Sequence, residues 1–327
     1  MKYTLFALLV VSAIVCCSGA TGPMMIAQEN GIDSMTIRSL GVPSLNSNPL
    51  PGKEIIKIKE ATSLLIDGLA YTVSATIGSK YYVMLAYGSD IFMFGINLDD
   101  GSLFIDTYSP NQEQIYVYGL SYDSKSNYLI GLSSLPYSVP SYFDVVEIDQ
   151  NSGAISKNFS FGEFPAGSVY SGIYAFNQDA SELYVVYRQY TNASESTQEG
   201  MVVVNTLTGK VSRSFWFTGF QAADMWLYSL VYDPQSQQLI GSTANYVGTN
   251  PAFVSISPAT GLVTLISSSA EYSGNGPTIL PGGIFVSPGH TDISSNTLYY
   301  VNITNGELLT KHSSFDVLVE FLALYNA

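Results

Sequence analysis

The stretch that decides the fold is NLDDGSL (97–103), a polar turn built around a glycine. Four further copies follow along the chain: DQNSGAI (149–155), NTLTGKV (205–211), SPATGLV (257–263) and NITNGEL (302–308). Consecutive turn glycines are 45 to 56 residues apart. A recurring unit of about 50 residues is typical of a β-propeller or a related array. The turn therefore predicts a repeat architecture before any other feature is considered.

Each turn lies between two short runs rich in β-branched and aromatic residues, such as FMFGI before Gly101 and LFIDTY after it. Such runs are typical of strands. The polar residues of the turn can form local hydrogen bonds, and the glycine can adopt positive φ, which suits a short hairpin loop. We interpret this motif as the hairpin between the two outer strands of a blade.

The inner half of the unit repeats as well. YGLSYDSKSNYLIGLSS (118–134) and YSLVYDPQSQQLIGSTA (228–244) are identical at 8 of 17 positions, and 71–87 and 171–187 are looser copies. Each unit therefore contains four antiparallel strands, which predicts an all-β fold, a β-propeller of four-stranded blades. A β-sandwich is the competing interpretation, but sandwiches seldom show internal identity at this period.

The length of the chain favours six blades. Without a 20-residue leader, 327 − 20 = 307 residues remain, which is six units of about 51. Only five glycine turns exist, so we expect the sixth blade to be shared by the two chain ends, which would close the ring. Five blades with an N-terminal extension remain the alternative.

The closing blade needs strands from both ends of the chain. At the C-terminus, 315–326 resembles an innermost strand, and the N-terminal candidates are 35–40, 54–59 and 63–68. In the fifth repeat, the second strand is expected near 291–295. We predict a single domain over 21–327, in which 21–70 contributes to the closing blade.

The first 20 residues, MKYTLFALLVVSAIVCCSGA, are typical of a secretory signal peptide. The apolar run is shorter than the roughly 20 residues that span a bilayer, which argues against a membrane anchor. A lipid-anchored cysteine fits poorly, since Val15 and Cys16 are not the small residues that such processing needs. Asn158, Asn192 and Asn302 begin glycosylation sequons. We therefore expect a secreted protein or one of the endomembrane lumen, without a transmembrane segment in the mature chain.

Charge and residue content exclude several classes of function. The chain carries 26 acidic and 12 basic residues, a net charge of −14, and no basic run, which argues against nucleic-acid binding. Both cysteines lie in the leader, so the mature chain has no thiolate ligand or thiol nucleophile. Only His290 and His312 are available as imidazoles, and no catalytic triad can be built from them. No catalytic residue, metal site or cofactor is predicted, and a monomer is expected.

The irregular loops offer the best place for a site. In a propeller, the links between blades (here 108–117, 161–170, 218–227 and 267–282) share one face with the links between second and third strands (133–143, 188–200 and 242–252). These loops contain aromatic side chains and isolated carboxylates, a mixture that suits glycans or peptides. The candidate ligand-binding residues are Glu113, Glu163, Asp224, Trp226, Glu271, Tyr272, Tyr142 and Tyr246.

Through its inner YD…LIG hairpin and its outer N/D-x-x-x-G hairpin, the chain resembles secreted propellers of the broad NHL/YVTN-like kind over roughly 71–326. The resemblance implies an architecture but transfers no functional residue, because such propellers include binders and enzymes. The leading hypothesis is a binding or adhesion module for an extracellular protein or glycan. The alternatives are a carboxylate-dependent carbohydrate-active enzyme and a structural matrix or coat component.

Overall fold

The computed structural model describes fourteen stretches of the chain, which include the repeats and strands from both chain ends. They are 23–30, 35–41, 53–58, 71–87, 90–110, 116–134, 142–165, 167–191, 196–222, 225–245, 251–268, 277–288, 297–312 and 318–326. The predicted leader, Glu113, Asn192, Asp224, Tyr246, Glu271, Tyr272 and His290 lie outside them.

All regular structure in these stretches is β, arranged as six sheets whose strands pair antiparallel apart from one short edge strand. Sheet 1 contains β4 (Tyr71–Ile77), β5 (Lys80–Tyr87), β6 (Asp90–Asn97) and β7 (Leu103–Pro110). Sheet 2 contains β8 (Tyr116–Asp123), β9 (Tyr128–Ser134), β10 (Tyr142–Ile148) and β11 (Ile155–Glu163). Sheet 3 contains β12 (Ser168–Asn177), β13 (Glu182–Thr191), β14 (Ser196–Asn205) and β15 (Lys210–Trp216).

Sheet 4 contains β17 (Met225–Asp233), β18 (Gln238–Asn245), β19 (Ala252–Ile256) and β20 (Leu262–Ser267), with the short β16 (Thr218–Gly219) pairing in parallel on its outer edge. Sheet 5 contains β21 (Thr278–Leu280), β22 (Ile284–Pro288), β23 (Leu298–Asn302) and β24 (Leu308–His312). The closing sheet contains β1 (Pro23–Asn30), β2 (Met35–Gly41), β3 (Lys53–Ile58) and β25 (Leu318–Asn326).

The closing sheet joins the two ends of the chain, as the sequence predicts. The order is β25-β1-β2-β3, and Met25 pairs with Leu324 across the junction. The predicted strands at 35–40, 54–59 and 315–326 correspond to β2, β3 and β25. The strand next to β25 is β1, however, which the sequence analysis missed, and 63–68 falls outside the described residues.

Six apolar clusters occupy the seams between successive sheets. One of them packs Met35 and Ile37 of the closing sheet against Tyr81 of sheet 1, and another packs Met25 against Leu280 of sheet 5. The closing sheet therefore contacts both neighbours, and the sheets form a ring. The predicted β-propeller of four-stranded antiparallel blades is confirmed.

The glycine turns join the third and fourth strands of sheets 1 to 5, which confirms them as the outer hairpins. They also contact the preceding sheet. Gly209 has a φ of +66°, and a Cβ added to it would overlap the Phe159 side chain of β11. At Gly101 (φ +73°) an added Cβ would lie 2.5 Å from the Ile55 carbonyl oxygen of β3. The repeated glycine therefore has two functions, since it permits the turn and lets consecutive sheets approach.

The start of the fifth repeat differs from expectation. The predicted loop 267–282 contains β21, and the second strand is β22 rather than 291–295. The reason is a tight turn at 281–283, in which Gly282 and Gly283 both have positive φ, +88° and +73°. After that turn the second strand begins at Ile284, seven residues earlier than the predicted start near 291.

The strand order defines two faces of the ring. The turn face carries the links between first and second strands and between third and fourth strands. The loop face carries the links between second and third strands and those between sheets. The innermost strands are β4, β8, β12, β17 and β21 in sheets 1 to 5 and β25 in the closing sheet, and each contacts its neighbours around the ring. The loop face therefore surrounds one mouth of the central channel.

Candidate functional site

Three of the eight predicted ligand-binding residues lie in described strands at the loop face. Tyr142 begins β10 and Glu163 ends β11, and the two residues pair across the sheet. Trp226 is the second residue of β17. Tyr142 and Glu163 are therefore neighbours at one corner of sheet 2, and Trp226 lies at the corresponding end of sheet 4. For Glu113, Asp224, Tyr246, Glu271 and Tyr272 the prediction remains open.

A buried ion pair lies at the loop-face end of the seam between sheets 3 and 4. Arg188 of β13 pairs directly with Glu199 of β14 in the strand register. Arg188 Nε donates to Glu199 Oε1 at 2.8 Å, and Nη2 donates to the same oxygen. The side chains are only 5% and 0% exposed. Because both side chains are almost completely buried, the two charges depend on protein hydrogen bonds rather than on water for their stabilisation.

Trp226 covers the ion pair from sheet 4. The guanidinium carbon of Arg188 lies 3.4 Å from the centroid of the indole ring, a cation–π contact. The second carboxylate oxygen, Glu199 Oε2, accepts from the Leu227 amide at 2.9 Å. Three strands from two sheets therefore meet at one guanidinium and one carboxylate. The predicted candidate Trp226 packs on protein in this arrangement.

The link from sheet 3 to sheet 4 is fixed by backbone hydrogen bonds. Phe217 N–H donates to the Glu199 carbonyl at 3.0 Å, and Thr218 N–H donates to the Gly261 carbonyl at 3.0 Å. Phe220 N–H donates to the Val263 carbonyl at 3.1 Å. The described part of this link is consequently held at several points, by β14 at Glu199 and by the turn and strand start at 261–263 of sheet 4.

Sequence reasoning missed Arg188 and Glu199 because it assigned 188–200 to a loop. In the structure β13 and β14 extend into this range as a long hairpin, in which Thr191 pairs with Ser196. One signal was available in the sequence. The basic and acidic residues are equally distant from the centre of a symmetric hairpin, which is where directly opposed partners must lie.

Glu199 is electrostatically unusual. Burial raises the pKa of Glu199 to about 7, and this effect outweighs the opposing influence of Arg188 and of the hydrogen bond from the Leu227 amide. A carboxyl that is buried and hydrogen-bonded on both oxygens is suited to holding structure rather than to meeting a ligand. We therefore assign Glu199 a positioning role.

The seam between sheets 2 and 3 has a different content at its loop-face end. Aromatic rings of both sheets pack there: Phe143 is 5.0 Å from Phe164 and 4.8 Å from Tyr170, centroid to centroid. Tyr118 contacts Tyr170 at 6.0 Å. Two hydroxyl oxygens of β12, Ser168 Oγ and Tyr170 Oη, are buried without a hydrogen-bond partner. Phe164 and Tyr170 belong to 161–170, which the sequence predicts as a loop on the face of the candidate site. In the structure both rings pack in the seam.

Two sequons lie on described residues, in different settings. Asn158 in β11 is exposed, and its Nδ2 donates to Asp144 Oδ2 at 3.1 Å. Asn302 is half-buried at the end of β23, where its Oδ1 accepts from the Thr304 amide at 2.8 Å. A glycan on Asn158 would take the place of one of the two hydrogens on Nδ2, the nitrogen that donates this bond. The bond at Asn302 uses the oxygen instead.

Other chemical features are sparse in the described part of the chain. None of its residues form a helix that is long and apolar enough to cross a membrane. Within the same stretches, no three His, Cys, Asp or Glu side chains are grouped so that they could hold a metal ion. His312 ends β24, whereas His290 and Asp292 lie outside the described residues.

Comparison with known proteins supports the architecture. No family model matches the chain, and no curated protein matches its sequence. Among solved structures, TolB from Acinetobacter baumannii is similar with a TM-score of 0.57 at 10% identity, over 94% of this chain and 67% of that chain. The structure titled "Structure of Dos1 propeller" has a TM-score of 0.44 at 9% identity, over 90% of this chain and 71% of that chain. The likeness to TolB shows the fold alone, and the NHL/YVTN-like resemblance stays a prediction.

Proposed function

We propose that the protein is a secreted, glycosylated β-propeller that binds an extracellular protein or glycan through its loop face. The observation that carries this proposal is the construction of the seam between sheets 3 and 4. There the buried pair of Arg188 and Glu199, covered by Trp226, fixes the strands that border the loop face. A binding surface whose supporting strands are already ordered loses less conformational entropy when a ligand binds.

The chemistry of the loop face agrees with a ligand that is not anionic. The chain has a net charge of −14, Glu163 ends β11 at this face, and Asp224 is a carboxylate predicted for it from the sequence. Complementary charge favours encounter with cationic partners, whereas neutral partners are not repelled.

Two charge-matched variants test the choice of face. The variant E163Q/D224N removes two carboxylates that are predicted for the loop face, and D99N/D179N removes two exposed carboxylates from turns on the opposite face. Binding to a glycan array and to immobilised extracellular proteins is measured for both variants and the wild type. We expect a loss of at least fivefold in affinity for E163Q/D224N alone. Equal losses in both variants would assign the effect to net charge, and unchanged binding in E163Q/D224N would place the binding surface elsewhere.

Secretion and glycosylation are tested separately. The full chain is expressed in eukaryotic cells with its own leader, and the medium is analysed before and after treatment with an N-glycosidase. We expect the protein in the medium, with a mobility that changes on treatment and that changes less for N158Q, N192Q or N302Q. Retention in the cytosol, or a mobility that the glycosidase does not alter, would contradict this part of the proposal.

A further inference from the structure

The closing sheet is assembled differently from the other described sheets. Sheets 1 to 5 each take their four main strands from one continuous stretch of chain, whereas the closing sheet combines β1 to β3 with β25. All five other sheets lie between β3 and β25 along the chain. Within its own sheet β25 is therefore held by pairing with β1 alone, while the chain before it leads back to β24 of sheet 5.

The pairing of β1 with β25 is long and has a defined register. It runs over all of β1, from Pro23 opposite Asn326 to Asn30 opposite Leu318. The other edge of β1 is occupied by β2, and Met25 of β1 is completely buried. Without β25, one edge of β1 would present a row of unpaired backbone groups. Filling that edge requires a strand that matches the register of β25.

The order of the strands along the chain leaves this edge open during folding. β1 to β3 are synthesised first, and 59–317 separate them from β25. Closing so long a loop has an entropic cost that must be met before the two strands can pair. Until then, β1 is a sheet edge that can accept a strand. The β25 of another copy has the same sequence, so only the higher effective concentration of the chain's own strand disfavours it.

We propose that the β1 edge of the closing sheet is a strand-binding site that takes β25 from a second copy of this chain at high protein concentration. In the resulting symmetric dimer, each ring is closed by the strand of the other copy. Only 313–317 connect β24 with β25, and short connections favour exchange between copies. The exchanged contacts are those of the monomer, so the dimer needs no additional surface.

The sequence-based expectation of a monomer describes the product at low concentration in this scheme. The net charge of −14 repels copies from one another, which also limits exchange when the protein is dilute. The inference concerns the closing sheet alone and does not depend on the proposed function of the loop face.

A pair of cysteines reports which copy supplies β25. Ala27 of β1 lies opposite Leu322 of β25. Directly opposed residues of antiparallel strands are within the Cα separation of about 4.4–6.8 Å that a disulfide requires. In A27C/L322C the disulfide is therefore intramolecular in the monomer and joins two chains in the exchanged dimer. Both natural cysteines lie in the predicted leader, so the mature chain contributes no other thiol.

The matched control is A86C/I91C, which opposes an alanine and a branched aliphatic position in the same way, in the hairpin of β5 and β6. Exchange of β25 leaves that disulfide within one chain. The full mature chain of each variant is unfolded in urea with a reductant and refolded at about 1 µM and about 200 µM, both below the roughly millimolar effective concentration of a tethered strand. After oxidation, denaturing gel electrophoresis without reductant separates linked from unlinked chains.

We expect the fraction of disulfide-linked dimer in A27C/L322C to be at least tenfold larger at the higher concentration, because pairing with a second copy depends on concentration. A86C/I91C should give no linked dimer. Absence of linked dimer in A27C/L322C at the higher concentration would overturn the proposal. Equal amounts of linked dimer in the two variants would also overturn it, since random oxidation would then explain the link.

The wild type gives a second measurement that needs no substitution. After refolding at the higher concentration, the dimer is isolated by size-exclusion chromatography with light scattering and diluted to the lower concentration. An exchanged dimer must release β25 from β1 before its copies separate, so it should persist on dilution and become monomeric only when urea is added. A dimer that separates at once on dilution, or a wild type that is monomeric at both concentrations, would contradict the exchange and leave the loop-face proposal unaffected.

Discussion

The two seams on either side of sheet 3 lie between copies of the same repeat unit, yet different interactions stabilise them. Between sheets 3 and 4, the loop-face end holds a buried ion pair whose hydrogen bonds are satisfied. Between sheets 2 and 3, the corresponding end holds aromatic rings and two hydroxyls without partners. Polar groups that are fully paired add rigidity, whereas unpaired ones leave bonding capacity for something else. The difference indicates that paired charges hold the strands of one seam in place, whereas apolar packing holds those of the other, where hydrogen bonding is incomplete.

The largest predicted effect concerns the ion pair itself. E199A leaves the Arg188 guanidinium buried without its partner, and we expect it to lower the free energy of unfolding by about 3–5 kcal/mol. The matched control is E182A, which breaks the more exposed pair of Glu182 with Arg213, whose side chains are 18% and 33% exposed. That variant should lose only about 1 kcal/mol. Urea unfolding monitored by Trp fluorescence measures both.

Replacing both charges gives a second test of the same comparison. In R188M/E199L no charge is left unpaired, and apolar packing can substitute for a buried pair with little loss. The double variant should therefore be clearly more stable than E199A. Equal stability of the two variants would show that packing, rather than the unpaired charge, explains the loss in E199A.

The second prediction concerns the glycine contact that both seams share. Gly209 and Gly78 both have positive φ, +66° and +56°, but an added Cβ meets Phe159 at Gly209 and open space at Gly78. The backbone conformation costs about 1 kcal/mol in either alanine variant. Overpacking should add about 1–3 kcal/mol in G209A alone. Unfolding free energies that agree within 0.5 kcal/mol, roughly the usual scatter between unrelated sites, would argue against contact with the preceding sheet.

The third prediction uses two aspartates at the same repeat position, each ending an innermost strand. Asp123 bonds across the seam to sheet 3, accepting from Ser181 Oγ at 2.9 Å and from Thr206 Oγ1 at 2.8 Å. Asp233 bonds within its own turn, to the Gln235 amide and to Ser236. We expect D123A to lose about 2–3 kcal/mol, because buried hydroxyls of the next sheet lose a charged acceptor, and D233A about 1 kcal/mol. A larger loss in D233A would contradict the cross-seam role.

These contrasts show why the fold could be predicted further than the site. The glycine turns repeat, so their spacing and flanking strands determine the four-stranded unit and the need for a closing sheet. Arg188 and Glu199 occur in one repeat only, and the polar composition of the segment that contains them predicts a loop. The turn at 281–283 likewise departs from the repeat and was missed. A feature that occurs in only one repeat has no recurring spacing in the sequence. Its residues come together only through the strand register of the folded sheets.

The smallest predicted effect is a dependence on pH that should differ between the two ion pairs. The folded-state pKa of Glu199 is about 7, above its ordinary value of 4.5, because burial disfavours the charged form. Its stabilising contribution is therefore complete below pH 4.5 and is lost as the pH rises through about 7. At Glu182 burial also raises the pKa, but the hydrogen bonds from Arg213 and Tyr184 outweigh it and lower the pKa overall. That contribution is present above pH 4.5 and is lost as the pH falls.

Urea unfolding at each pH measures the difference. Between about pH 5 and pH 8, the free energy of unfolding of the wild type should fall relative to that of E199Q and keep a constant difference from that of E182Q. Parallel pH profiles for the wild type and E199Q would show that Glu199 stays ionised in the folded protein throughout this range, so that Arg188 compensates for its burial.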